Sequence, residues 1–181
     1  MLKRSFDICF AVLVLAITSP LCLLITVAIW IDSGRPIFFR QERTGFCGEP
    51  FVAWKFKTLH YIHPDPNHTP CCNSCNVTRF GRLLRRTHLD ELPQLLNVLS
   101  GDLAVIGPRA EVPKDSKPIE LLRMKPGITG PAHIGKKPTT RQDFEEIHLI
   151  EMAYFQSGRS KFRDMKILAK TVLKVFQANS F

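Results

Sequence analysis

The run "ICFAVLVLAITSPLCLLITVAIWI", residues 8–31, holds 24 residues without a charge. As one helix it would reach roughly 36 Å, beyond the ~30 Å of a bilayer's hydrocarbon core. It is longer than the apolar stretch of a signal peptide, and no small-residue cleavage pattern follows it. A soluble helix this long and this uniformly apolar would have no face to offer water. The segment is therefore read as one that meets lipid. Ser19-Pro20 bears on how, because proline removes a helical hydrogen bond and crowds the preceding turn. One reading is a kinked spanning helix, which membranes tolerate. The other is a helix-break-helix hairpin that enters and leaves by one face, with residues 8–18 and 21–31 each reaching about 16 Å. Lys3 and Arg4 favour a cytoplasmic N-terminus, and the basic excess after the run favours the same side. Two flanks on one side mean re-entry rather than crossing.

The whole chain has 181 residues, enough for one ordinary domain and an appendage. Its 25 Lys and Arg outnumber 16 Asp and Glu, giving a formal charge of +9. That excess suits a nucleic acid, an anionic membrane surface or a phosphorylated substrate. The apolar run and the lack of a nucleic-acid motif argue against the first. Of the cysteines, Cys9 and Cys22 lie inside the apolar run, while Cys71, Cys72 and Cys75 crowd together. This is no disulfide framework, and it points to a reducing compartment.

Beyond the run, Ile37–Phe39 reads as a short apolar stretch leading into a polar loop that ends at Gly45, and Phe51–Leu59 as a strand. Leucines 83, 84, 89, 92, 95, 96 and 99 recur at helical spacing, in two helices broken near Thr87, the second closed by Gly101. "LAVIGPRAEVP" reads as a strand entering a turn, and "RMKPGITGPAHIGKKP" as a loop. Two helices follow, from "DFEEIHLIEMAYF" and from "KFRDMKILAKTVLKVFQANSF". In the last, Phe162, Met165, Leu168, Val172 and Phe176 share one side, while Lys166, Lys170 and Lys174 share another. Such a helix either packs on the core or lies on an anionic bilayer.

The stretch with chemistry is "THLDELPQLLN", residues 87–97. If a helix starts after Thr87 or His88, Asp90 and Glu91 fall in its first turn, where acidic residues complement the helix dipole by about 0.3–1 kcal/mol each. That plain reading would suffice for an isolated acidic pair. Here "TRFGRLLRR" places Arg79, Arg82, Arg85 and Arg86 just before the pair, "GPRAE" adds Arg109, and Lys55 and Lys57 lie on the predicted strand. Carboxylates ringed by cations can hold Mg2+ and a diphosphate together, and a carboxylate there can act as a nucleophile. Spacing alone reaches no further than an anionic phosphorylated substrate at a membrane.

"RFGRLLRRTHLDELPQLLNVLSGDLAVIGPR", with "KFKTL" before it and "KPGITG" after it, resembles the bacterial sugar transferases. These act as monotopic phosphoglycosyl transferases that initiate glycoconjugate assembly, including exopolysaccharide and lipopolysaccharide, on undecaprenyl phosphate. The resemblance covers nearly the whole chain. It implies an α+β fold: a mostly helical small cytoplasmic domain with short strands, a re-entrant hairpin over residues 1–34, a catalytic domain over 35–181, and amphipathic interfacial helices. It implies a place on the cytoplasmic face of a bacterial inner membrane. It assigns Asp90 as the nucleophile that attacks the β-phosphate of a UDP-sugar, and as a Mg2+ ligand, with Glu91 as partner in metal binding or acceptor activation. Arg85 and Arg109 would bind phosphate, with Lys57 and Arg82 as further cations, and the cations should keep Asp90 ionised. A homodimer is left open.

Several residues depart from the family pattern: Ala110 after "GPR", His88 before "LDE", Pro131 and His133 after "GITG", and Glu151 ahead of Tyr154. These leave the sugar open, and they are what a catalytically inactive scaffold relative would rest on. His60, His63, His68, Cys71, Cys72 and Cys75 form a loop cluster with one Cys-x-x-Cys pair. With no second such pair it reads as a variable loop rather than a zinc site.

Overall fold

Leu2–Ser33 form one helix, α1, some 48 Å long by its residue count. The computed structural model describes residues 2–60, 77–112, 117–134, 140–157 and 160–177, so His63, His68 and Cys71, Cys72 and Cys75 of the loop cluster lie outside the described residues. Pro20, expected to divide the run into two helices, sits inside α1. Its missing N–H deprives the Ala16 carbonyl of its usual donor, and the Ser19 hydroxyl donates to that carbonyl instead, at 2.9 Å. Thr18 and Thr26 donate likewise to Val14 and Cys22 carbonyls. Hydroxyls thus close the ladder where proline opens it.

α1 is the one described helix long and apolar enough to cross a membrane, and only 11% of its apolar window is buried. Both of its ends are nevertheless tied to the rest of the chain. At the start, Arg4 donates to the Val98 and Leu99 carbonyls at 2.6 and 2.9 Å. Buried Asp7 accepts the Val105 N–H at 3.1 Å. At the far end, Lys57 Nζ donates to the Ser33 carbonyl at 2.8 Å. Between them Ala11 joins a cluster with Leu95, Val98, Leu103, Val105 and Ile106. Ile25 and Ile29 join a second with Phe56 and Leu84. The helix lies along the body, and Leu13, Ile17, Leu24, Trp30 and Ile31 remain exposed on its other side.

Two strands, β1 (Phe38–Thr44) and β2 (Pro50–Phe56), pair antiparallel from Phe38 opposite Phe56 to Thr44 opposite Pro50. The polar stretch expected as a loop after Phe39 is therefore strand. Pairing with the aromatic-rich partner outweighs the weak strand preference of "RQERT". Helix α2 (Arg79–Arg86) follows, then α3 (Gln94–Ser100), which Gly101 closes at φ 101° as expected. β3 (Ala104–Ile106) runs parallel to β4 (Gly127–Thr129), with short α4 (Ile119–Leu122) between them. β4 and α5 (Pro131–Ile134) correct the loop expected there. A Cβ on Gly127 would stand 2.1 Å from the Gly107 nitrogen, so the glycines that read as loop punctuation serve close backbone approach.

α6 (Arg141–Gln156) starts with a capping box in which Thr140 and Asp143 satisfy each other's backbone N–H. α7 (Lys161–Gln177) buries only part of the expected stripe: Phe162 is 79% exposed, and Met165 and Val172 are exposed too. Leu168 of the stripe packs inward, beside buried Ile167. Polar anchors set this rotation. The Thr171 and Thr129 hydroxyls meet at 2.6 Å, and Tyr154 donates to Asp164 at 2.6 Å.

α2 is pressed onto the chain before it. A Cβ on Gly81 would lie 2.3 Å from the Thr58 carbonyl oxygen. Helix propensity alone favours Gly81→Ala by about 1 kcal/mol, whereas overpacking costs roughly 1–3 kcal/mol. The variant is expected to unfold at a lower temperature than the parent in the same detergent. A higher midpoint would show that this contact is not tight.

Candidate active site

The acidic pair sits on a separate 3-10 turn, Leu89–Glu91, rather than in the first turn of α3, which begins only at Gln94 after Pro93. His88 enters the turn in the left-handed region, at φ 55°, an uncommon conformation for a residue with a side chain. Leu89 packs on the Ile25–Phe56 cluster, and Leu92 packs on both clusters. The leucines of "LDEL" thus anchor the turn, and Asp90 between them is 8% exposed.

Burial, and then the charge of Glu91, push Asp90 up to about 6 from 3.8, while Lys55, Arg85 and its own backbone N–H pull it back. The cations only partly offset desolvation, so the pKa rises, yet at neutral pH most Asp90 is still ionised. Glu91 behaves oppositely. Burial would raise it, but its ion pair with Lys55 prevails and pulls it to about 2. Among the described residues the adjacent carboxylates are therefore chemically distinct, Glu91 in an ion pair and Asp90 in none.

Arg85 comes to the pair from α2. Its Nε donates to Thr58 Oγ1 at 2.8 Å; burial lowers its pKa and Asp90 opposes that. Arg82 stays exposed on α2, with no side-chain hydrogen bond or ion pair among the described residues. Lys57 lies past the end of β2, buried against the α1 C-terminus through Ser33. Burial lowers its pKa, against a smaller opposing effect of Asp32. Of the two strand lysines it is Lys55 that reaches the pair.

Arg109 stands on the turn after β3, and His133 on α5 feels the charges of both Arg109 and Glu91. Burial, and then Arg109, push His133 down to about 3, with Glu91, Lys55 and Lys117 also acting on it. It is neutral at physiological pH. His133 was visible in the sequence only as a departure from pattern. Lys117 carried no signal, since its position beside Arg109 comes from the fold. Among the described residues no group of three or more His, Cys, Asp or Glu gathers as a metal cage. Magnesium needs only one or two carboxylates when substrate phosphates complete its shell, and the unpaired, desolvated Asp90 beside Glu91 suits that donor set.

A profile of the bacterial sugar transferases matches residues 1–178. The chain belongs to the bacterial sugar transferase family. Among its relatives, the UDP-glucose:undecaprenyl-phosphate glucose-1-phosphate transferase of Escherichia coli is 36% identical over 188 residues, which cover 97% of this chain but 40% of that protein. The sugar transferase EpsL of Bacillus subtilis is 37% identical over 180 residues, covering 96% of this chain and 87% of EpsL. The exopolysaccharide production protein ExoY of Rhizobium meliloti is 34% identical, covering 95% of this chain and 84% of ExoY. The chain therefore spans less than half of some relatives and most of others.

The raised pKa has a consequence for stability. Folding lifts the Asp90 pKa above its ordinary value, so ionisation opposes folding: the cost is complete above about pH 6 and absent below about pH 4. In magnesium-free buffer at pH 7.5, Asp90→Asn should be more stable than the parent by on the order of 3 kcal/mol. The gap should close by pH 4. Equal unfolding midpoints at pH 7.5 would contradict the desolvated setting of Asp90.

Proposed function

We propose that this family member moves a phosphosugar from a UDP-sugar to undecaprenyl phosphate through a covalent intermediate on Asp90. The observation that carries this reading is a buried carboxylate, set between Arg85 and the Lys55–Glu91 pair, whose pKa of about 6 leaves it ionised but poorly solvated at neutral pH. An Asp90 oxygen attacks the β-phosphorus of the donor; the bond from that phosphorus to the bridging oxygen breaks, and UMP leaves. A phosphate oxygen of the lipid acceptor then attacks the same phosphorus and releases the Asp90 carboxylate. Two anionic substrates from different phases thereby react in turn. Arg85 and Arg109 hold donor phosphates and stabilise the charge that develops on them. Glu91, fixed by Lys55, shapes the site beside Asp90. Mg2+ held by Asp90, with Glu91 as a second candidate ligand, would offset phosphate charge. Lys57 and Arg82 contribute to the basic surroundings rather than to contact with the pair.

The membrane reading is supported by α1. A helix tied at Arg4 and Asp7 and again near Ser33 to one body, with apolar residues exposed along its other side, suits a segment embedded in one leaflet with both ends on the same face. Residues 1–34 then serve as the membrane element and 35–181 as the catalytic domain on the cytoplasmic side. Exposed Phe162, Met165, Val172 and Leu173 of α7, with Lys166 and Lys170 nearby, suit the interface with anionic lipid.

Full-length protein in detergent, given Mg2+, undecaprenyl phosphate and a panel of UDP-sugars beginning with UDP-glucose, should release UMP with at least one donor. Asp90→Asn should release none. Silence across a broad panel from folded protein supports a binding or scaffolding relative instead. For topology, Ser5→Cys and native, exposed Cys47 should be labelled by an impermeant reagent from the same membrane face. Labelling from opposite faces would make α1 a spanning helix.

A further inference from the structure

The turn from Pro108 to Glu111 is held from outside along its length. The Pro108 carbonyl accepts the Gly127 N–H at 2.9 Å, the Ala110 carbonyl accepts Arg43 Nη1 at 3.3 Å, and the Glu111 carbonyl accepts the Thr44 N–H at 2.8 Å. Arg109 itself is gripped on both sides of its backbone by side chains of opposite charge. Its N–H donates to Glu151 Oε1 at 2.6 Å, and its carbonyl accepts from Lys117 Nζ at 2.5 Å. Among the described residues its guanidinium makes no hydrogen bond.

Glu151 is fully buried, at 0% exposure, and its other oxygen has no hydrogen-bond partner among the described residues. A buried acid is costly, and an apolar residue would fill the space at lower cost, so its one hydrogen bond among the described residues, to Arg109, demands a reason. One turn earlier on α6, buried His148 meets buried Glu111 at 2.8 Å. α6 therefore fastens this turn at two points. Residue 110 is alanine, which leaves φ free where proline would restrict it, so the shape of the turn depends on these bonds.

We infer that Glu151 and Lys117 are positioning residues for Arg109, holding both sides of its peptide so that the guanidinium is fixed where the donor's phosphates arrive. This rests on the reading of Arg109 as a phosphate-binding residue. The groups facing Glu151 are Lys117, the Arg109 N–H, Glu111 and His148. Burial dominates them and pushes Glu151 up to about 7. A neutral side chain that keeps the acceptor oxygen should therefore preserve the grip.

The test is a double-mutant cycle on UDP affinity, measured at equilibrium with the full chain in detergent, Mg2+ present and no turnover required. Lys117→Met and Glu151→Ala should each weaken UDP binding about tenfold, the scale of losing a charged hydrogen bond, while Glu151→Gln stays within about twofold of the parent. In an Arg109→Ala background, Lys117→Met should cost less than about twofold further, because its effect passes through Arg109. A full, independent loss in that background overturns the inference while leaving Arg109 as a phosphate ligand. Unchanged UDP affinity in Arg109→Ala alone overturns the phosphate reading itself. Lys117→Met carries the test if Glu151→Ala fails to fold.

Discussion

A carboxylate held out of water beside a second carboxylate is unstable unless cations stand close, and much of this structure follows from that constraint. Asp90 is seated by Leu89 and Leu92, which bury the turn on two apolar clusters at once. Lys55 takes the charge of Glu91, and Arg85 faces Asp90 from a helix that Gly81 lets settle against Thr58. The outcome is asymmetry. Glu91 is satisfied in place, whereas Asp90 keeps a charge that a phosphorus centre or a cation can use.

The same clusters that seat the acidic turn also receive α1. Ala11 enters one, Ile25 and Ile29 the other, and Leu92 touches both. The apolar helix and the acidic turn thus share a core. In the reaction proposed here, this sharing brings a lipid-borne acceptor and a soluble donor to one carboxylate, since the helix and Asp90 cannot move far apart without disrupting that core.

Much of this was legible in the sequence because it rests on local pattern. The uncharged run over 8–31, the helix stop at Gly101 and the leucine spacing around the pair reflect short-range physics. So does the gathering of Arg85 with Asp90, five residues apart. What was missed depends on tertiary contact. The choice of Lys55 over Lys57 follows from where β2 ends. The raised pKa of Asp90 follows from burial that charge counting cannot see. The rotation of α7 follows from Thr171 meeting Thr129, and β4 was hidden because its glycines resemble loop punctuation. Ser19 closing the gap left by Pro20 shows why a proline alone did not break α1.

The central claim is that Asp90 carries the phosphosugar. The most direct measurement is intact and peptide mass spectrometry of the full chain after rapid acid quench, with a UDP-sugar and Mg2+ present and the lipid acceptor withheld. The account predicts a protein heavier by one phosphosugar, the added mass mapping to the peptide that contains Asp90 and disappearing when undecaprenyl phosphate is supplied. Turnover to the lipid product with no such adduct, or an adduct that persists in Asp90→Asn, would contradict it.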